Sequence, residues 1–155
     1  IAATQQSCRY FLRARASGEP ERVPVLHMAS LDRMHLRARA ERLAAELAFT
    51  GCEIEIVDTD DPIGGGSHPE ATLPGAGLAL RQPLRVAPVP AVGAPSRARR
   101  SLDQWHAALR QGSPPVIATL AKDRLVIALR TVSEADERDL VRAIISSLDT
   151  PTSLI

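Results

Sequence analysis

The sequence predicts a small α+β domain, with helices packed on one face of a largely antiparallel sheet of four short strands. Three observations lead there. The hydrophobic period switches between 3.6 residues and two residues along the chain. The strand-like runs come in pairs joined by turn chemistry, and no strand–helix–strand unit repeats. The 155 residues, 45% apolar and 24% charged, suit one ordinary globular domain with an added arm. Aromatic residues make up only 3%, so the core must be built from Ala, Leu, Val and Ile.

The elements follow in order. Residues 2–17 read as a helix with Cys8, Phe11 and Leu12 on one face, stopped by Gly18 and Pro20. Its apolar face is sparse, which suits a helix that leans on something outside its own domain. Residues 30–49 give the strongest helical pattern. Leu36, Ala40, Leu43, Ala44 and Leu47 form one stripe, and Arg33, Arg37 and Glu41 form another. Ser30 is the expected cap and Gly51 the expected stop. The run Glu53-Ile54-Glu55-Ile56-Val57 then alternates as a half-buried strand does. Asp58 to Glu70 reads as turn, and Ala76–Leu80 as a second strand. Residues 81–100 hold Pro83, Pro88, Pro90 and Pro95, which argues against regular structure. Ser101 and Gln104 make a capping box for a third helix carrying Leu102, Trp105 and Leu109, ended by Gly112. Pro115–Leu120 and Arg124–Arg130 are expected to form a hairpin turning at Lys122-Asp123. Ser133 and Asp136 open a last helix with Leu140, Val141, Ile144, Ile145 and Leu148 on its buried face. The expected order is α-α-β-β-α-β-β-α.

Several function classes are disfavoured by the residues alone. A net charge of +1 gives no long-range field for capturing a polyanion. No apolar run approaches a membrane span, and no signal peptide is expected. Cys8 and Cys52, without a secretory signal, suggest reduced thiols in a cytoplasmic protein. His27, His35, His68 and His106 pair with no other His or Cys at metal-ligand spacing, so no metal site is expected. His35 and His106 are expected on helix surfaces. Ser67 lacks the strand–turn–helix context of a hydrolase nucleophile. An opening Ile in place of Met points to a processed product or a fragment.

Two segments remain as candidates. Gly64, Gly65, Gly66, Ser67 and His68 could bring backbone N–H groups close to a ligand, or could simply make a tight turn. They lack the Gly-Lys-Ser/Thr ending of a phosphate loop and the spacing of a dinucleotide fingerprint. Arg97, Arg99 and Arg100, with Arg81 and Arg85 nearby, could touch an RNA backbone or form a solvated basic loop. No aromatic residue is interleaved there to stack a base.

The run from Ile63-Gly64-Gly65-Gly66-Ser67-His68-Pro69 to Leu73-Pro74 resembles a stretch of bacterial L-seryl-tRNA(Sec) selenium transferase, or selenocysteine synthase. Pro114-Pro115-Val116-Ile117, then Asp123-Arg124-Leu125, then Ala128-Leu129-Arg130 resemble the ending of that family, and Ile1–Leu12 resembles the helix after its catalytic core. The likeness spans roughly residues 1–148. Ala128 departs from the family's usual Asp, and Ala118-Thr119 from its usual Arg.

The resemblance implies the C-terminal small domain of a fold-type-I pyridoxal-phosphate enzyme. Residues 1–20 would be a connecting helix on a missing large catalytic domain, residues 21–150 the small domain and residues 151–155 a tail. The whole enzyme would convert seryl-tRNA(Sec) to selenocysteinyl-tRNA(Sec) in the cytoplasm as a homo-oligomer. Selenophosphate would be the selenium donor, and pyridoxal phosphate the electron sink. The loop Gly64–His68 would face the active site. Arg130 would be a substrate contact or a surface ion-pair partner, and Arg97, Arg99 and Arg100 would be tRNA-backbone contacts. A Schiff base requires a lysine. Lys122, the sole lysine, falls in a predicted exposed turn, so this chain is expected neither to bind the cofactor nor to catalyse alone. The alternatives are the small domain of a related pyridoxal-phosphate lyase or transferase for a small amino acid, and a freestanding interaction module.

Overall fold

The computed structural model describes residues 2–19, 22–63, 71–82 and 100–149. Their order is α1 (Ala2–Ala16), α2 (Pro24–Ser30), α3 (Arg33–Leu47), β1 (Glu53–Pro62), β2 (Thr72–Arg81), α4 (Leu102–Gln111), β3 (Thr119–Ala121), β4 (Arg124–Ala128) and α5 (Glu137–Asp149). Short 3-10 turns at Ala48–Thr50, Leu129–Thr131 and Glu134–Asp136 join them. The fold is α+β, and its sheet is antiparallel throughout in the order β1-β2-β4-β3.

The pleat decides which side chains make the core. Ile54 pairs with Leu80 and Ile56 with Leu78, while Leu80 pairs with Leu125 and Leu78 with Ile127. These apolar residues therefore line one face. Helix α3 packs over β1 and β2, α4 lies against β4, and α5 completes the layer beside α3 and α4. Leu36, Ala40, Leu43 and Leu47 are buried from α3, Trp105 and Leu109 from α4, and Leu140 and Ile144 from α5. Leu125, Ile127 and Leu129 are all buried, as their alternation predicts. The opposite face carries Glu55, Ala79, Val126 and Thr119 in register, edged by Arg124–Glu55 and Arg81–Glu53 ion pairs.

Helix α3 starts later than the sequence suggests. Asp32, not Ser30, is the N-cap, accepting from the His35 N–H at 2.8 Å. The Ser30 hydroxyl instead donates to the His27 carbonyl, because Ser30 ends the unforeseen helix α2. Pro24 stands at its first turn, where a missing N–H costs nothing. The stop is as expected: Gly51 has φ +72°, a conformation glycine adopts without strain.

The first strand is twice the expected length. Asp58 to Pro62 continue β1, each opposite a residue of β2 down to Pro62↔Thr72. The second hairpin is shorter than expected. The Val116 N–H donates to Leu109 O at 2.8 Å, so this stretch caps α4 before any ladder begins at Thr119. At the other end β4 stops at Ala128 and turns at once through Leu129–Thr131. The capping box of α4 is complete in both directions.

Candidate functional site

The most densely bonded polar group among the described residues is the Arg130 guanidinium, and it lies inside the protein. Arg130 is 6% exposed, against the expectation of a surface position. The turn that follows β4 points it under the far end of the first hairpin. Its Nε donates to Asp61 Oδ2 at 2.9 Å and its NH2 to Pro74 O at 2.9 Å. Its NH1 donates to Met28 O and to Leu31 O, both at 2.7 Å. Four of the five N–H groups of the fork thus meet protein acceptors. A carboxylate and three carbonyls satisfy the buried charge, which would otherwise be costly to desolvate.

Gly75 makes the room. A β-carbon there would lie 2.1 Å from Asp61 Oδ2 and 2.5 Å from Thr59 Oγ1. Only glycine lets the Asp61 carboxylate fold back over β2 to reach Arg130. The strand ends beyond this cluster are Pro62 and Thr72, and the Ile63 N–H donates to Ala71 O at 3.1 Å to close the neck of the hairpin. Gly64, Gly65, Gly66, Ser67 and His68 lie past that neck, outside the described residues.

The arginine candidates divide. Arg97 and Arg99 lie outside the described residues. Arg100 is half-buried and donates from NH1 to Ser147 O at 2.7 Å, tying the start of α4 to the end of α5. Ser147 also accepts from the Trp105 Nε1–H at 2.7 Å. His35 is on the surface, 2.9 Å from Glu134 Oε1. His106 is not: its ring is partly buried, with Nε2 2.9 Å from Ala118 O.

A buried cation that sequence reasoning missed is Arg39, 1% exposed. Its Nε donates to Glu137 Oε1 and its NH2 to Val132 O, each at 2.6 Å. The signal was present, since residue 39 lies three positions after Leu36, inside the apolar stripe.

Lys122 sits in the β3–β4 turn with φ +58° and is exposed. Pyridoxal phosphate needs a lysine held beside a phosphate cradle in a dry pocket. Lys122, the sole lysine of the sequence, stands in no such pocket among the described residues. Burial pushes the Cys52 thiol up, with the Thr50 side chain opposing, which disfavours the thiolate there. Among the described residues no group of three or more His, Cys, Asp or Glu could hold a metal ion. No described helix is long and apolar enough to cross a membrane.

An open groove of about 760 Å³ lies on α1, lined by Cys8, Tyr10, Phe11, Leu12 and Val23. Tyr10 is 51% exposed and Leu12 62%, so this apolar side has no cover within the described chain.

The family described as L-seryl-tRNA selenium transferase matches residues 1–133. This chain belongs to that family. Three L-seryl-tRNA(Sec) selenium transferases show the range of similarity. The one from Hyphomonas neptunium is 31% identical over 92% of this chain, covering 27% of its own length. The one from Rhizobium meliloti is 34% identical over 75% of this chain and 23% of its own length. The one from Aquifex aeolicus is 28% identical over 80% of this chain and 24% of its own length. The chain therefore spans about a quarter of the length of these relatives. It carries a selenium transferase domain, and the α+β fold with its antiparallel sheet fits the small domain of such an enzyme.

Proposed function

We propose that this chain is the C-terminal small domain of an enzyme that converts seryl-tRNA(Sec) to selenocysteinyl-tRNA(Sec) in the cytoplasm, and that it does not catalyse by itself. The observation that carries the proposal is the family match over 1–133, combined with coverage of only about a quarter of each relative. Selenophosphate is the selenium donor in this reading, and the enzyme works as a homo-oligomer. Pyridoxal phosphate belongs to the large domain outside this chain, since Lys122 is the sole lysine and stands in an exposed turn.

Residues 1–20 connect the two domains, residues 21–150 form the small domain and residues 151–155 a tail. The bare apolar side of α1 supports a large-domain partner for that helix. The loop holding Gly64, Gly65, Gly66, Ser67 and His68 faces the active site. Its base is held by Arg130, which acts from inside the domain and not on the substrate. Arg97, Arg99 and Arg100 flank a basic segment that contacts the tRNA backbone, with Arg100 the least available because of its bond to Ser147.

The test supplies seryl-tRNA(Sec), selenophosphate and pyridoxal phosphate to the full-length polypeptide and to residues 1–155 alone. Selenocysteinyl-tRNA is expected from the first and not from the second. After borohydride reduction the cofactor should be found on a lysine outside this chain. A saturable adduct on Lys122 at low micromolar cofactor, or product formed by residues 1–155 alone, sinks the proposal.

A further inference from the structure

Helices α1 and α2 form an arm whose described residues touch the rest of the domain in few places. Helix α1 makes only slight contact with other elements. Helix α2 buries none of its residues and meets the body at the Leu129–Thr131 turn. A seven-residue helix with no buried side chain cannot fix its own direction by packing. Leu31, partly buried against the core, anchors the connector after α2 but leaves its rotation undetermined.

Arg130 supplies what is missing. Two of its bonds go to the sheet, Nε to Asp61 Oδ2 and NH2 to Pro74 O. Two go to the arm and its connector, NH1 to Met28 O and to Leu31 O. The guanidinium is rigid and planar, so holding both sides at once fixes the angle between them. Both ends of the Arg130–Asp61 pair are nearly excluded from water, at 6% and 7% exposure, so solvent competes little for these bonds.

We propose that Arg130 is the joint of this domain: it fixes the direction in which the Ala2–Ser30 arm leaves the sheet. Through the arm it sets how the domain sits against a large domain, and this second half rests on the proposed function. Arg130 is thereby a positioning residue that touches no substrate. A residue that merely held the fold together would loosen the whole domain when lost. A joint loosens the arm alone.

Hydrogen exchange on the full-length protein separates the two, comparing residues 24–31 with residues 36–47 in Arg130→Lys and Arg130→Met. We expect exchange in 24–31 to rise about tenfold while 36–47 changes by less than about twofold. Lysine keeps a charge opposite Asp61 but cannot span the carbonyls of Met28, Leu31 and Pro74, so it should not restore the arm. It also keeps the test valid if the methionine variant fails to fold. Equal acceleration of both segments, or none in 24–31, overturns the joint. In turnover, kcat should fall about fivefold with KM for seryl-tRNA(Sec) within about twofold, as for a change that acts beyond ground-state binding. An unchanged kcat in a variant with a loosened arm overturns the link to the active site. Should the unmodified full-length protein form no selenocysteinyl-tRNA, the proposed function fails and the exchange result still decides the joint.

Discussion

Arg39 and Glu137 stand 98 positions apart in the chain, yet Arg39 Nε lies 2.6 Å from Glu137 Oε1. The pair fastens the middle of α3 to the first turn of α5, and Arg42 NH2 adds a longer contact to the same carboxylate at 3.4 Å. Glu137 suits the place, because an acid at a helix start also meets the positive end of the helix dipole.

Cutting this pair on one side should be costly. We expect Glu137→Met or Arg39→Met to destabilise the domain by about 3–5 kcal/mol, the scale for leaving one buried charge without its partner. Arg39→Met combined with Glu137→Met should cost less than the sum of the two single changes. Urea unfolding of the three variants checks this, and strict additivity would show that the pair is not coupled.

Gly75→Ala should be harmful although alanine is small. Its methyl would displace the Asp61 carboxylate and, through it, the Arg130 fork. Overpacking of this kind costs about 1–3 kcal/mol. Asp61→Ala in the Gly75→Ala background should cost less than it does alone, because the Asp61–Arg130 bond is then already displaced and removing the carboxylate relieves the clash. Thermal unfolding of the cycle reads the coupling.

The two thiols should part company in alkylation. Cys8 is exposed on α1, whereas Cys52 is half-buried and its thiol is pushed up by that burial. The thiolate is the reacting form, so iodoacetamide near neutral pH should label Cys8 first. Labelling of Cys52 should grow as pH is raised toward its elevated pKa. Mass spectrometry of the digested protein resolves the order, and equal rates near neutral pH would contradict it.

Gly65→Val tests the proposed active-site loop. In the full-length enzyme we expect turnover to fall by about 100-fold, as for loss of a group that positions the reaction, with the thermal midpoint nearly unchanged. A loss of about 1–3 kcal/mol in the stability of the domain, the scale of a strained backbone site, would make the glycines structural.

Local signals explain which parts of the fold were legible. The α3 stripe, the Ser101–Gln104 capping box and the Lys122-Asp123 turn each depend on residues within a few positions of one another, and each stands as read. The misreadings have distant causes. Asp58-Thr59-Asp60-Asp61-Pro62 carries strong turn chemistry, but pairing with β2 and a bond from Arg130, 69 positions away, hold it extended. Helix α2 is too short to show a period, and its last residue, Ser30, stands two positions from the true cap at Asp32. Arg130 could be named from sequence, but nothing near it in the chain reveals that its partners are Met28, Leu31, Asp61 and Pro74. The remaining candidates, Gly64–His68 with Arg97 and Arg99, lie outside the described residues.

The first hairpin is longer than the sheet that holds it. Strand β2 pairs with β4 only across Gly77–Leu80, while its pairing with β1 continues to Thr72. From Asp58↔Ala76 to Pro62↔Thr72 the ribbon has two strands and no third strand among the described residues, an overhang of roughly 16 Å at the usual strand rise. The two portions should tolerate insertion and deletion very differently over evolutionary time. Matched residues could be gained or lost past the Asp61↔Leu73 rung without shifting any partner in β4 or of Arg130. A single deletion within Gly77–Leu80 would throw every following side chain onto the wrong face against two neighbours at once. Length polymorphism among relatives should therefore collect beyond the Arg130 clamp and stay out of the shared ladder.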